Sequence, residues 1–172
     1  MKIMAASDIH GSIGVANKIF EVYEQEKADK LLLLGDLLYH GPRNDLPGDY
    51  NPKAVLALLN QHKKDILAVR GNCDTEVDQM VLEFPILADY IFLTIGEQVI
   101  FASHGHHYNK DNPPVFLPEG AILLNGHTHV VADEDCGTFR YMNPGSPAIP
   151  KNGTEPSYII FEEGTAEIRK LY

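Results

Sequence analysis

Five short segments of this chain bring together side chains that bind divalent metals: Asp8-Ile9-His10, Gly35-Asp36, Gly71-Asn72-Cys73-Asp74, Ser103-His104-Gly105-His106 and Gly126-His127-Thr128-His129. Carboxylate, amide oxygen and imidazole, with no cysteine required in the pattern, suit Mn²⁺, Zn²⁺, Fe²⁺, Ni²⁺ or Co²⁺. Asp8 and His10 lie two apart, so an extended backbone would put both on one face, and His127 and His129 repeat the spacing. Gly126 lets the chain bend tightly or approach a ligand closely. The set Asp8, His10, Asp36, Asn72, His104, His127 and His129 is too large for one tetrahedral zinc. It matches two ions about 3.5 to 4 Å apart that share a carboxylate. The expected centre of that site is Asp36.

Each motif must be carried by the end of a strand. Lys2 to Ser7 reads as a first strand, and Leu31 to Leu34, wholly apolar, as a buried one ending at Gly35-Asp36. Ser12 caps an expected helix with Val15, Ile19, Val22 and Tyr23 on one face, running to about Lys27. Asn51-Pro52 starts another, through Val55, Leu56 and Leu59 to about Lys63. Between them Leu38 to Tyr50 is a long loop rich in glycine and proline, of the kind that carries function. Ile66 to Val69 is a third strand, and Asp74 is expected to cap a short helix holding Val77 and Val81. Alternating strands and helices predict a largely parallel sheet in this half. The second half differs. Tyr90 to Ile95 and Gln98 to Ser103 flank Gly96-Glu97, a type II′ hairpin turn. Ala121 to Asn125 is an apolar strand, and Thr138 to Met142, Tyr158 to Phe161 and Ala166 to Lys170 read as short antiparallel strands. One domain is expected over residues 1–172.

Composition narrows the function. The 172 residues carry a formal net charge of -10, with 14 Lys and Arg scattered against 24 Asp and Glu. That disfavours a long nucleic acid, whose binders carry a basic stripe, but not a short nucleotide-like substrate. No apolar run approaches the roughly 18 residues of a membrane span, so no membrane partner is expected. A cleaved leader would remove Asp8, which predicts a cytoplasmic protein. Cys73 and Cys136 are expected as free thiols.

The ordered motifs resemble the calcineurin-like metallophosphoesterase superfamily from Asp8 to His129, and the Asn143-Pro144-Gly145-Ser146 turn extends the match. Within it the chain is most similar to the small bacterial YfcE-type phosphodiesterases, through His40-Gly41-Pro42-Arg43-Asn44, Gly71-Asn72-Cys73-Asp74 and Asp78-Gln79-Met80. The resemblance implies an α/β fold, a four-layer α/β/β/α sandwich of two mixed sheets flanked by helices. It implies one metal on Asp8, His10, Asp36 and His129, and another on Asp36, Asn72, His104 and His127, with Asp36 bridging. It also implies two divalent ions, Mn²⁺ first, acidifying a bridging water for attack on a small phosphodiester. A homo-oligomer, dimer or higher, is implied as well.

One departure bears on catalysis. The superfamily commonly has His after the Asn of Gly-Asn-x-Asp, and here Cys73 stands in its place, a poor hydrogen-bond donor. Acid assistance is weakened, which predicts a preference for good leaving groups or help from His106 or Arg43. The candidate catalytic set is Asn72, Cys73, Asp74, His106 and Arg43, with His40 a further residue of the substrate pocket. Asp74 is expected to orient its neighbours. Two alternatives stand beside the phosphodiesterase reading: a phosphomonoesterase or nucleotide phosphatase on the same site, and a non-catalytic protein-binding scaffold.

Overall fold

The computed structural model describes residues 1–172. In chain order its first elements are β1 (Lys2–Ala6), α1 (Ile13–Glu26), β2 (Lys30–Leu33), α2 (Pro52–Gln61), β3 (Ile66–Ala68) and α3 (Glu76–Val81). There follow β4 (Tyr90–Ile95), β5 (Gln98–Ser103), β6 (Ile122–Leu124), β7 (Val131–Asp135), β8 (Arg140–Pro144), β9 (Ser157–Glu162) and β10 (Thr165–Lys170). They form two five-stranded mixed sheets, ordered β10-β9-β1-β2-β3 and β4-β5-β6-β8-β7.

The leucine run shows how one strand serves two interfaces. Leu31, Leu32, Leu33 and Leu34 are all inaccessible to solvent. Leu31 and Leu33 join Met4, Ala6 and Ile160 beneath α1 and α2, against Ile19, Val22, Val55 and Leu59. Leu32 and Leu34 face the other way, joining Ile3, Ala5 and Phe161 against Ile100, Ala102, Leu124 and Met142 of the second sheet. A strand buried on both faces needs apolar residues at every position, so its sequence shows no alternation. The sandwich therefore has the expected layers, with one difference. The outer face of the second sheet (Phe101, Leu123, Phe139, Tyr141) is covered by Tyr108 and Leu117 of the irregular segment 104–120, not by a helix.

Several local expectations hold and others are corrected. Ser12 and Asn51 cap α1 and α2 through their side chains. At Gly96-Glu97 only Gly96 has positive φ, as a type II′ turn requires. The cap of α3 is Thr75, paired reciprocally with Asp78, and not Asp74, while Val77 and Val81 are exposed. The strand predicted at Thr138 to Met142 pairs antiparallel only with β7; with β6 it runs parallel. β7 itself escapes the apolar pattern because Val-Ala-Asp-Glu-Asp is an edge strand whose charges face water. No helix is long and apolar enough to cross a membrane, and both cysteines are free.

The end of α1 is tied to the first sheet through one carboxylate. Glu26 accepts from Arg169 at 2.7 and 2.8 Å and from the Tyr158 hydroxyl at 2.8 Å, and pairs with Lys2 at 2.8 Å. Burial alone would raise its pKa, but Lys2, Arg169 and Tyr158 bring it down from 4.5 to about 2. A carboxyl lowered on folding stabilises above its unfolded pKa and loses that contribution as pH falls toward the folded value. Glu26→Gln should therefore cost about 1–3 kcal/mol at neutral pH. In urea titrations of the two proteins, the difference should shrink between pH 4.5 and about 2; a difference constant with pH would contradict the assignment.

Candidate metal centre

The five motifs converge at one end of the sandwich, where β1, β2, β3, β5 and β6 end. Past the strand ends the chain keeps its parallel lacing: Asp8 N–H donates to Gly35 O at 3.1 Å, His10 N–H to Asp36 O at 2.9 Å and Gly11 N–H to Leu37 O at 2.9 Å. The backbone is not extended there, contrary to the condition set for Asp8 and His10. Asp8, His10, Asp36, His127 and His129 have φ of 54°, 48°, 55°, 66° and 61°, left-handed values that make up five of the eight non-glycine cases in the chain. Such conformations cost energy in residues with a Cβ. Concentrated here, they turn side chains inward from successive strand ends.

Around Asp8, Oδ2 accepts from Ser7 Oγ at 2.5 Å and His127 N–H at 2.9 Å. Oδ1 is buried without a hydrogen-bond partner. It lies 3.3 Å from His129 Nε2 and 3.5 Å from His10 Nε2, and those two nitrogens are 3.1 Å apart. Each ring spends its Nδ1 on a carbonyl, His10 on Tyr39 O and His129 on Ile149 O, both at 2.8 Å. With Nδ1 the donor, both Nε2 lone pairs and the bare Asp8 oxygen face one point. A cation satisfies that arrangement.

The second group mirrors the first. His104 Nδ1 donates to Leu34 O at 2.6 Å, and its Nε2 meets Asn72 Oδ1 at 3.0 Å and His127 Nδ1 at 3.2 Å. Asp36 stands between the groups, Oδ2 lying 3.5 Å from His104 Nε2 and 3.8 Å from His10 Nε2, while Oδ1 accepts from Cys73 N–H at 2.8 Å. Ligand-type atoms thus lie on both sides of Asp36.

Burial and the two carboxylates set the ionisable groups of the cluster apart. Burial would lower the pKa of His104, but Asp36 and Asp8 push it up to about 9. Burial likewise opposes ionisation of Asp8, which His10 and His129 nevertheless hold well below the usual carboxylate range. Burial and then the charge on His104 bring His106 down to about 4. The Cys73 thiol is pushed up to about 12 by burial and then by Asp36.

Asp74 faces away from this cluster and laces the loops behind it. Its Oδ2 accepts from the N–H groups of Asp36 and Gly71, both at 2.8 Å, and its Oδ1 from Leu37 N–H at 3.0 Å. Burial still pushes it up to about 6. Gly71 is required beside it, because a Cβ there would overlap the Asp36 carboxylate and amide. Asn143 buttresses the histidine turn, donating to Gly126 O at 2.7 Å and Thr128 Oγ1 at 3.1 Å. Ser146 Oγ donates to Asp8 O at 2.8 Å.

A cavity of about 350 Å³ opens onto Asp36, Asn72, Cys73, His127 and His129, with Arg43 and Lys151 also in its walls. His106 lines a neighbouring cavity with Asp89, His107 and Tyr108. His40 packs between the rings of Tyr39 and Tyr50, at 4.8 and 5.3 Å, and is not among the residues of the first cavity. Lys151 escaped sequence reasoning. Its only local signal is the Asn152-Gly153 turn beside it.

A family model described as the calcineurin-like phosphoesterase superfamily domain matches residues 1–166. The chain is 46% identical over 171 residues to the phosphodiesterase YfcE of Escherichia coli K12, covering 99% of this chain and 92% of that one. A solved structure of YfcE, described as a phosphoesterase from E. coli, matches with a TM-score of 0.95 and 43% identity, over 99% of this chain and 93% of that one. The phosphodiesterase MJ0936 of Methanocaldococcus jannaschii is 24% identical over 177 residues, covering 99% and 98% of the two chains.

Two results are expected of this geometry. Divalent manganese at a hundredfold excess over its Kd should stabilise chelator-stripped protein by about 3 kcal/mol per site, raising the thermal midpoint by several degrees. Asp36→Asn should lose most of that gain; an equal shift in both proteins would contradict the shared role of Asp36. Asp74→Asn puts an amide N–H against backbone donors, so it should cost about 1–3 kcal/mol in urea unfolding, and an unchanged midpoint would exclude the lacing.

Proposed function

The chain belongs to the calcineurin-like phosphoesterase superfamily, and from that membership we propose that it hydrolyses small phosphodiesters with two divalent ions, manganese first. Asp8, His10, Asp36 and His129 would hold one ion, and Asp36, Asn72, His104 and His127 the other. The enzyme is a metal-dependent phosphoesterase; the dinuclear site and the substrate class are the proposal. The observation that carries it is the gathering of ligand-type atoms on both sides of Asp36, with the unpartnered Asp8 Oδ1, His10 and His129 on one and Asn72, His104 and His127 on the other, beneath an open cavity. The diester class comes from YfcE, which is named a phosphodiesterase and is 46% identical.

When bound, such ions supply positive charge for the phosphoryl oxygens and a water acidic enough to attack at neutral pH. The protein's own groups set the rest. The Asp36 carboxylate is fixed by Cys73 N–H through one oxygen, which leaves the other free to serve both halves of the site. His10, His104 and His129 are held in one tautomer by the carbonyls of Tyr39, Leu34 and Ile149, which orients their Nε2 atoms. Asn72 is exposed to the cavity and available to a substrate oxygen.

Proton donation to the leaving group is where this site is weak. The Cys73 thiol, at about 12, keeps its proton and is a poor donor. His106, at about 4, is neutral at physiological pH and lines a different cavity. The rate should therefore depend steeply on the leaving group, favouring aryl over alkyl esters.

Chelator-stripped protein should hydrolyse bis-p-nitrophenyl phosphate only after Mn²⁺ is restored. Asp36→Asn should lower the rate at least about a hundredfold, because several kcal/mol of charge stabilisation depend on that carboxylate. Turnover by a metal-free protein, or an active Asp36→Asn variant, would overturn the proposal. Faster turnover of p-nitrophenyl phosphate than of the diester would move the assignment to a monoesterase.

A further inference from the structure

The cavity over Asp36 holds two cations for which neither the metal ligands nor the fold accounts. In a chain with 14 lysines and arginines against 24 acids, eight of the bases are ion-paired: Lys2, Lys18, Lys63, Arg70, Lys110, Arg140, Arg169 and Lys170. Arg43 and Lys151 are among the six that are not, and they are the only lysine or arginine residues in the walls of that cavity. Both are exposed, so neither is held there by burial.

Their backbones are nevertheless fixed, from two distant parts of the chain. Arg43 sits on the turn closed by Asn44 N–H to Gly41 O at 3.4 Å, with Asn44 Nδ2 donating to His40 O at 2.9 Å. Lys151 opens a tight turn through Asn152 and Gly153, φ 53° and 71°, closed by Thr154 N–H to Lys151 O at 3.1 Å. Positive φ at both central residues makes it type I′, the form that Asn-Gly favours. Lys151 N–H also donates to His129 O at 3.1 Å, and His129 Nδ1 to Ile149 O at 2.8 Å, so the segment 149–151 is anchored on a metal ligand.

Charge decides what two such cations are for. The carboxylates of Asp8 and Asp36, an attacking hydroxide and the single charge of a phosphodiester together balance two divalent ions. The reacting group leaves nothing for Arg43 and Lys151 to neutralise, and the cavity, at about 350 Å³, has room beyond one phosphate. We propose that Arg43 and Lys151 form an anion clamp that selects phosphodiesters bearing a second phosphate or carboxylate beside the scissile group. This rests on the dinuclear phosphodiesterase reading and adds the substrate's charge to it. Arg43 offers a planar pair of donors and Lys151 a mobile point charge, a combination suited to an anion whose distance from the reacting phosphorus varies.

Calorimetric titration of the manganese-loaded protein with methyl phenylphosphonate and methyl 3-carboxyphenylphosphonate, whose phosphonate group carries one charge like a diester, tests the clamp without requiring turnover. The wild type should bind the carboxylated ligand about three- to tenfold more tightly, the range for partly solvated charge pairs. Lys151→Gln and Arg43→Gln should each reduce that ratio to under about twofold. Lys151→Arg should keep it, and so should Lys64→Gln, which removes an exposed charge elsewhere. A wild-type ratio near one, or equal weakening of both ligands in Lys151→Gln, would overturn the clamp and leave the dinuclear site standing. Failure of methyl phenylphosphonate to bind at all would overturn the clamp together with the metal site beneath it.

Discussion

The rest of the site depends on a buried carboxylate that faces imidazoles on both sides. Asp36 Oδ2 lies 3.5 Å from His104 Nε2 and 3.8 Å from His10 Nε2, and the Asp8 carboxylate is fully buried nearby. Two carboxylates this deep are costly unless positive charge accompanies them. Asp36 and Asp8 accordingly hold His104 up at about 9 against its burial. Divalent ions supply the same charge and meet more lone pairs at once. The burial of two carboxylates that makes the pocket costly to fold is thus the same feature that would draw cations into it.

Holding that carboxylate in place shapes the surrounding chain. Gly71 must lack a side chain because Asp36 occupies the space, and Gly126 likewise yields to Ser7 and Asp8. Asp74 gathers three backbone N–H groups from the segments that flank Asp36. The left-handed turns at Asp8, His10, Asp36, His127 and His129 collect strain at the ends of rigid strands. The leucines of β2, buried on both faces, supply the rigidity that holds those turns.

Most of this architecture can be read from the residues. The apolar runs announce their strands because burial on two faces leaves no room for polar side chains, and the caps at Ser12 and Asn51 follow from local hydrogen bonding. Long-range pairing is less legible. Nothing local in Arg140–Pro144 tells that it runs parallel to β6, and β7 is hidden by its three acids. Asp74 looks like a cap because Asp often is one, yet its partners lie across the loop at Asp36 and Leu37. Lys151 could not be placed at all, since its position follows from a turn docking on His129 from a distant segment.

The measurement closest to the central claim is anomalous diffraction from a crystal of this protein grown with Mn²⁺. Two peaks should flank Asp36, about 3.5 to 4 Å apart, one toward Asp8, His10 and His129 and the other toward Asn72, His104 and His127. A single peak in catalytically active protein, or peaks that do not share Asp36, would contradict the account.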